Sequence, residues 1–422
     1  MKTEYKRYTA SMYDHNLPHY VGLDVGTNTV RCIVGVLDQD SGTPSVIGYG
    51  SSPNHGMRKG TVVYVDDVSE AIAQAITEAE RISGFQIHRA TVNINGSNVN
   101  GFNSKGVIAI STANREITHE DRLRAEEAAT ILKLPPNREI VQVFAKNYRL
   151  DGQDNIKDPV GMQGVRLEVD AHIVTASLPH LRNLDSALDK VEIIPNRHTV
   201  SSLAAAEAVL SRQQKESGTL LLDIGAGTTN LVVIEEGEIQ HVAVLPIGGI
   251  NITNDLAIGL KTDLDIAEEV KVKCATLDQD HKKEAVSVEL NKKVHTFKTS
   301  DILMITEARI DELLDYVDKE LRMIHRSRKL PGGVVIVGGT AKFPGLADFT
   351  RDKLELPARI GKLHNITGLI ESVDDPVNFT AVGLMLLDML LAPMNEGSAG
   401  FNVTARGKLF NPVSKLINMI RR

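Results

Sequence analysis

The chain has 422 residues, 42% of them hydrophobic, and a formal charge of −7 at pH 7. This length predicts two to four structural units with buried cores, and the acidic balance argues against a general nucleic-acid binder. Cys32 and Cys274 are the only cysteines, which excludes a disulfide framework or a cysteine-built zinc site and suits a reducing cytosol, and no apolar run is long enough to span a membrane.

Residues 1–18 are polar, lack the apolar stretch of a secretory signal and are read as a disordered tail. Residues 20–37, YVGLDVGTNTVRCIVGVL, then form a hairpin pattern. An apolar run ends in Asp24-Val25-Gly26, Thr27-Asn28-Thr29 turns, and a second apolar run follows. Residues 66–84 predict an amphipathic helix with Val68, Ala71, Ile72, Ala75, Ile76, Ala79 and Ile82 on one stripe and Gly84 as its stop. Residues 90–110 are strand-rich with Asn/Gly turns. Thr118 and Asp121 have capping-box spacing ahead of a helix that Pro135-Pro136 ends. Strands are predicted at 141–150 and 165–177, joined by a polar loop. Residues 89–164 are therefore read as a compact α+β block, inserted after a first lobe has begun.

Helices are predicted at 181–191 and 199–212, the second with a small-residue face, Leu203-Ala-Ala-Ala-Glu207, suited to close packing between lobes. Residues 220–234, LLLDIGAGTTNLVVI, repeat the hairpin pattern around Asp223-Ile224-Gly225. Gly225 and Gly227 let backbone N–H groups approach an anion, Thr228 and Thr229 add hydroxyl donors, and Asp223 ends its strand where a carboxylate can hold hydrated Mg²⁺. An ordinary Gly-rich hairpin satisfies either stretch alone. Two of them, half a chain apart, predict duplicated lobes facing each other across a phosphate-binding cleft. No P-loop occurs. Gly225 to Asn230 lacks the third glycine of a dinucleotide fingerprint and runs into a strand rather than a helix.

Residues 263–275 predict a helix bearing Glu268, Glu269, Lys271 and Lys273. A longer helix starts at Ser300 and runs to about Lys329, with Leu303, Ile310, Leu313, Leu314, Val317, Leu321 and Ile324 inward. Pro331-Gly332-Gly333 breaks it. The strand 334–337 then enters Gly338-Gly339-Thr340-Ala341, where a double glycine permits close approach of a flat base or ribose. A plain strand-to-helix turn fits equally. An apolar helix at 379–391 closes the second lobe, and 393–406 form a polar linker. In GKLFNPVSKLINMIRR, Leu409, Phe410, Val413, Leu416, Ile417 and Ile420 recur at helical spacing, and Arg406, Lys408, Lys415, Arg421 and Arg422 face no acidic residue. Such a helix suits an anionic membrane surface and is too short to cross it. Docking on its own protein is the other reading.

Together these features resemble the actin, heat-shock chaperone and sugar-kinase ATPase superfamily and, within it, the FtsA family of actin-like bacterial cell-division proteins. The resemblance is carried by GLDVGTNTVRCIVG, GMRKG at 56–60, DPVGMQGVRLEVDAHIVT, LLLDIGAGTTNLVVIEEG, PIGGINIT, AEEVK, VVIVGGTAKFPGL, NITGL and TAVGL, and GKLFNPVSKLINMIRR is similar to the family's membrane-targeting sequence. It implies an α/β, two-lobed actin-like ATPase fold with duplicated RNase H-like cores. The first core (IA) takes 19–88 and 165–212, the inserted subdomain (IC) 89–164, the second core (IIA) 213–251 and 328–392, and subdomain IIB 252–327. A linker, 393–406, leads to the amphipathic membrane-targeting helix, 407–422.

The same resemblance implies ATP with Mg²⁺ in the cleft. Asp24, Gly26, Thr27 and Asn28 match the first phosphate motif, and Asp223, Gly225, Ala226, Gly227, Thr228 and Thr229 the second. Glu268 and Lys271 match ribose or base positions, Gly338, Gly339 and Thr340 the adenosine motif, and Asp24 and Asp223 hold Mg²⁺ through waters. Leu409, Phe410, Val413, Lys415, Leu416, Ile417, Ile420, Arg421 and Arg422 would contact an anionic membrane. The implied partners are the C-terminal peptide of FtsZ, further copies of the chain in filaments, and later division proteins, at the cytoplasmic face of the membrane at the division site. Arg309 sits where a family arginine meets the FtsZ peptide. Its spacing to Asp311 and Glu312 is read as wrong for an intrahelical bridge. One departure bears on turnover: Ser201 occupies the place where efficient relatives orient the attacking water with an acidic or amide residue. Serine is a poor general base and Glu207 lies further along the helix, so slow or negligible hydrolysis is expected. Rival readings are a superfamily sugar kinase, for which the motifs supply no catalytic Asp, and an actin-like scaffold for pilus or secretion assembly, which the tail and the inserted block discriminate against.

Overall fold

A computed structural model describes residues 18–38, 41–111, 114–278, 284–290 and 292–391. The expected linker, the amphipathic helix and nearly all of the N-terminal tail lie outside these residues. In chain order the elements begin with β1 (His19–Val25), β2 (Thr29–Leu37), β3 (Pro44–Pro53), β4 (Met57–Arg58), β5 (Thr61–Val62), α1 (Val65–Ser83) and β6 (Arg89–Ile94). Next come β7 (Asn100–Ala109), α2 (His119–Ala129), β8 (Arg138–Leu150), β9 (Gln153–Ile156), β10 (Arg166–Ser177), α3 (Leu178–Asp189), β11 (Ile194–Val200), α4 (Ser201–Val209) and α5 (Arg212–Ser217). The remainder is β12 (Thr219–Ile224), β13 (Thr229–Glu235), β14 (Glu238–Leu245), α6 (Gly249–Gly259), α7 (Leu264–Cys274), β15 (Ala285–Leu290), β16 (Lys293–Lys298), α8 (Thr299–Met323), β17 (Gly333–Val337), α9 (Leu346–Leu354), β18 (Ala358–Ile360), β19 (Thr367–Gly368), α10 (Ile370–Val373) and α11 (Phe379–Leu391).

Two sheets share one plan. In the first, the antiparallel meander β3-β2-β1 continues into the parallel strands β6 and β11. In the second, the meander β14-β13-β12 continues into the parallel strands β17 and β18. Both central strands are apolar on both faces, as sheets covered by helices require.

The hydrogen bonding shifts both ends of the block read as inserted. β6 lies inside the first sheet, pairing with β1 and β11, whereas β10 pairs along its length with β7 and β8. The inserted sheet is thus β7-β10-β8-β9, covered by α2, and it joins the second sheet through the pair Ala243–Asn100 on β14 and β7.

Local rules account for most element ends. The stripe of α1 is buried at Val68, Ala71, Ile72, Ala75, Ile76 and Ala79, and the helix stops at Gly84. Thr118 and Asp121 form the reciprocal capping box of α2. Three expected helix bounds move. α2 stops at Ala129, before the prolines, where the Thr130 hydroxyl donates to the Glu127 carbonyl 2.7 Å away. The helix expected over 199–212 is two: Thr199 and Val200 end β11 against β6, and Ser211 opens α5 with its own capping box. α8 stops at Met323 because His325 adopts a left-handed φ of 59°.

Helices α4 and α11 cross where the two sheets meet. A Cβ on Gly383 would fall 1.7 Å from the Ala204 carbonyl oxygen, so this crossing requires glycine. α11 is buried along nearly its whole length, and its Asp388 accepts from the Val21 N–H at 3.0 Å, the Thr91 hydroxyl at 2.7 Å and the Asn196 amide at 2.8 Å. Among the described residues no helix is long and apolar enough to cross a membrane.

Candidate functional site

The two predicted hairpins open onto one cleft. In the first, Asp24 stands opposite Arg31, and the Gly26 N–H closes the turn onto the Thr29 carbonyl at 3.1 Å. In the second, Asp223 stands opposite Asn230, and the Gly225 N–H closes onto the Thr228 carbonyl at 2.9 Å. The cleft between them is open to solvent and is lined from both sheets. Of the residues expected in the site, Asp24, Gly26, Thr27, Asn28, Asp223, Gly225, Ala226, Thr228, Glu268, Lys271, Gly338, Gly339 and Thr340 line it.

Two expected residues do not. The Thr229 side chain is fully buried and its hydroxyl donates to the Ile247 carbonyl at 2.9 Å, so it braces the hairpin from behind. Gly227 packs against the other turn, where a Cβ would lie 2.9 Å from Thr27 Oγ1. The turn tips of the two sheets therefore touch. The glycine N–H groups at the head of each turn are spent closing it, which leaves the tip amides for an anion. The double glycine also divides its work. Gly338 has a φ of 87°, and a Cβ there would meet Asp223 Oδ1 at 2.6 Å, so it serves the approach of β17 to β12. Gly339 has open space beside it and faces the cleft.

Both carboxylates are only 8% exposed. Burial pushes Asp24 up to about 7 against the pull of Arg31, with Asp223 adding repulsion. Burial pushes Asp223 up to about 6, offset by the Thr380 hydroxyl and Arg31. Two buried carboxylates that face one cavity with a single nearby guanidinium form a site short of positive charge, and this donor set suits a divalent cation shared with phosphate oxygens. Among the described residues no cluster of three or more His, Cys, Asp or Glu could hold a metal alone. At the other end of the cleft, Lys271 Nζ donates to Glu268 at 2.6 Å, to Thr253 Oγ1 at 2.9 Å and to the Gly249 carbonyl at 3.3 Å. The Thr253 hydroxyl also donates to Glu268 at 2.5 Å.

Several residues that the motifs passed over complete the site. Asn93 is 1% exposed. Its Oδ1 accepts from the Val25 N–H at 2.7 Å, and its Nδ2 donates to Asp24 at 2.6 Å and to Ser201 Oγ at 3.1 Å. The Thr380 hydroxyl donates to Asp223 Oδ2 at 3.0 Å, and the Thr228 hydroxyl donates across the cleft to Asn95 Oδ1 at 3.0 Å. The period-two spacing of Asn93 and Asn95 is the signal that could have marked both. Ser201 lines the cleft, but its hydroxyl donates to the Ile94 carbonyl at 3.4 Å, while Glu207 pairs with Lys215 at 2.7 Å.

The family model described as "Cell division protein FtsA" matches residues 220–383, and "SHS2 domain inserted in FTSA" matches 96–175. The curated FtsA of Pseudomonas aeruginosa is 32% identical, covering 95% of this chain and 96% of that protein. The FtsA of Bacillus subtilis is 36% identical over 91% of this chain and 86% of its own length. This chain belongs to the FtsA family. Like the relatives that carry the name, it is an actin-like cell-division protein, and the SHS2 match coincides with the sheet β7-β10-β8-β9. Solved structures support the actin-like fold. A PilM–PilN type IV pilus biogenesis complex aligns with a TM-score of 0.62 at 18% identity, over 87% of this chain and 98% of that one. MreB5 of Spiroplasma citri bound to ADP aligns with a TM-score of 0.53 at 13% identity, over 89% of this chain and 97% of that one.

In this FtsA-family chain Arg309 is not a free cation. Its guanidinium grips Asp255 of α6, with one contact at 2.9 Å, and also pairs with Glu312. The expectation that Glu312 is wrongly spaced is corrected here, because positions three apart on a helix are neighbours. The membrane-facing residues expected from Leu409 to Arg422 lie outside the described residues.

Proposed function

We propose that the cleft binds ATP with Mg²⁺, and that nucleotide closes the two lobes to favour filament assembly. The observation that carries this reading is the convergence of Asp24 and Asp223 on one cleft from two sheets of the same plan. Asp24 and Asp223 would hold the cation, the turn tips the phosphates, and Glu268, Lys271, Gly339 and Thr340 the nucleoside. When bound, Mg²⁺ supplies the positive charge that the buried carboxylates lack. The protein's own contribution is positional: Asn93 and Thr380 hold the carboxylates, and α4 and α11 join the lobes. MreB5, similar in fold, was solved with ADP, which supports the assignment. Ser201 supports slow or negligible hydrolysis, because its hydroxyl proton is engaged by a backbone carbonyl. Phosphate release at several turnovers per second would overturn that. Calorimetric titration with Mg-ATP tests binding, with a loss of about a hundredfold or more expected in Asp223→Ala.

In this reading the protein works at the division site on the cytoplasmic face of the membrane, tethering FtsZ filaments and helping to recruit later division proteins. The cationic amphipathic pattern of 407–422 supports a membrane role. Deleting those residues should abolish liposome co-sedimentation while ATP binding persists. The FtsZ C-terminal peptide is assigned to 252–327. Arg309 could meet an acidic peptide only by exchanging Asp255 or Glu312 for it, and peptide binding unchanged in Arg309→Glu would remove it from the site. We take 96–177 as the inserted subdomain, with the two cores and IIB otherwise as the resemblance implies. Electron microscopy with ATP on a lipid monolayer tests the filament.

A further inference from the structure

β6 ends in Asn93-Ile94-Asn95-Gly96 and carries two carboxamides in different states, Asn93 buried behind Asp24 and Asn95 lining the cleft. Asn93 has both its polar atoms engaged, as described above. Asn95 has only its oxygen engaged. Oδ1 accepts from the Gly96 N–H at 2.6 Å and from the Thr228 hydroxyl at 3.0 Å. A backbone N–H can only donate, so the atom that faces it is the amide oxygen, and the orientation of the group is set by the protein. No hydrogen bond among the described residues uses Nδ2. The residue lines the cleft together with Asp24, Ser201 and Asp223.

Its position along the cleft is also defined. Gly60 donates its N–H to Thr27 Oγ1 at 3.0 Å and packs against Gly96, where a Cβ on Gly60 would lie 2.5 Å from the Gly96 nitrogen. Asn95 therefore sits where the tips of the two phosphate turns converge. A nucleotide with its base near Gly339 would bring the far end of its phosphate chain here.

We propose that Asn95 is a phosphate-selecting residue: its Nδ2 donates to the terminal phosphate of a nucleoside triphosphate while Oδ1 stays on Gly96 and Thr228. This rests on the cleft being the nucleotide site. An amide provides such a contact without adding charge, and it rewards a third phosphate that a diphosphate lacks. The arrangement makes this chain distinguish ATP from ADP through a strand end rather than through Ser201 on α4.

The test is a calorimetric titration of the full chain with Mg-ATP and Mg-ADP. Asn95→Asp keeps an acceptor for Gly96 and Thr228 but sets a negative charge against the terminal phosphate. It should weaken ATP about tenfold or more and leave ADP within about twofold. Asn95→Ala, which adds no charge, should erase most of the preference for ATP. Thermal melting of both variants checks that they fold. An unchanged ratio of ATP to ADP affinity in Asn95→Asp, or an equal loss of both nucleotides, overturns the role of Asn95 alone. Wild-type protein that binds neither nucleotide overturns the cleft assignment and this role with it.

Discussion

The first hairpin and the second have the same backbone and opposite surroundings. Asp24 faces a guanidinium across its strand pair and is held by an amide; Asp223 faces the neutral Asn230 and is held by a hydroxyl. The outer edges differ as well. β3 ends on the two-residue β19, whereas β14 continues into the inserted sheet. Duplication copied the strands and turns. The partners that set charge and freedom come from other parts of the chain: Asn93 on β6 holds Asp24, Thr380 on α11 holds Asp223, and α11 reaches the first hairpin as well, through Asp388 on the Val21 N–H.

The most severe way to break this comparison is to remove each carboxylate. Asp24→Ala and Asp223→Ala should each weaken Mg-ATP by about a hundredfold or more in calorimetric titration, since each forfeits charge-assisted contacts. Near-wild-type binding by either variant would show that the hairpins are not equivalent. The braces should then separate the two. Asn93→Leu strips the Val25 N–H and Asp24 of a buried partner and should cost about 1–3 kcal/mol in urea unfolding. Thr380→Val removes one hydroxyl from Asp223 and should cost about 1 kcal/mol. Equal losses would mean that the first hairpin is no better braced than the second.

The smallest effect concerns the tie to the insertion. His172 accepts the Val242 N–H on Nε2 at 3.2 Å and donates from Nδ1 to Asn103 at 2.8 Å. Burial, with His241 and Lys146 nearby, pulls its pKa down to about 3. His241 itself leans on Glu320. The folded protein keeps His172 neutral while the unfolded chain takes up a proton near pH 6.5, so its contribution is complete above about 6.5 and is lost as pH falls toward 3. Melting temperatures between pH 7 and pH 4 should fall less steeply in His172→Gln than in the wild type. Parallel slopes would exclude this histidine.

Much of this was legible in the residues, because hairpins, amphipathic stripes and capping boxes are written in neighbouring positions. Asp24 and Asp223 were found by their turns, and the duplication by the recurrence of the pattern. Asn93, Asn95 and Thr380 escaped because their partners are distant: Asp24, Thr228 and Asp223 lie 69, 133 and 157 positions away. A strand's own pattern records that it is buried and leaves its neighbours unspecified. The residues of β6 and β10 therefore leave open which sheet each joins, and the pairing puts β6 beside β1 and β11 and β10 beside β7 and β8. The residue types of Thr229 and Gly227 suit a phosphate turn, and neighbouring positions do not show that the Thr229 hydroxyl is spent on the Ile247 carbonyl or that Gly227 packs on Thr27. Arg309 looks available in the sequence because Asp255, its main partner, sits on another helix.

The clasp at Asp388 has a mechanical meaning. β1 opens the described fold and α11 closes it, and three hydrogen bonds to one carboxylate rivet α11 to β1, β6 and β11. Tension applied beyond Leu391 enters α11 and passes at once into β1, β6 and β11, the strands of the first sheet. The second sheet is reached through the contact of Thr380 with Asp223 at 3.0 Å and, just ahead of α11, through the Gly338 N–H, which donates to the Pro376 carbonyl at 3.0 Å. A pull on the tail would therefore reach the first sheet through this clasp and the second through Thr380, on the carboxylate that faces the cleft.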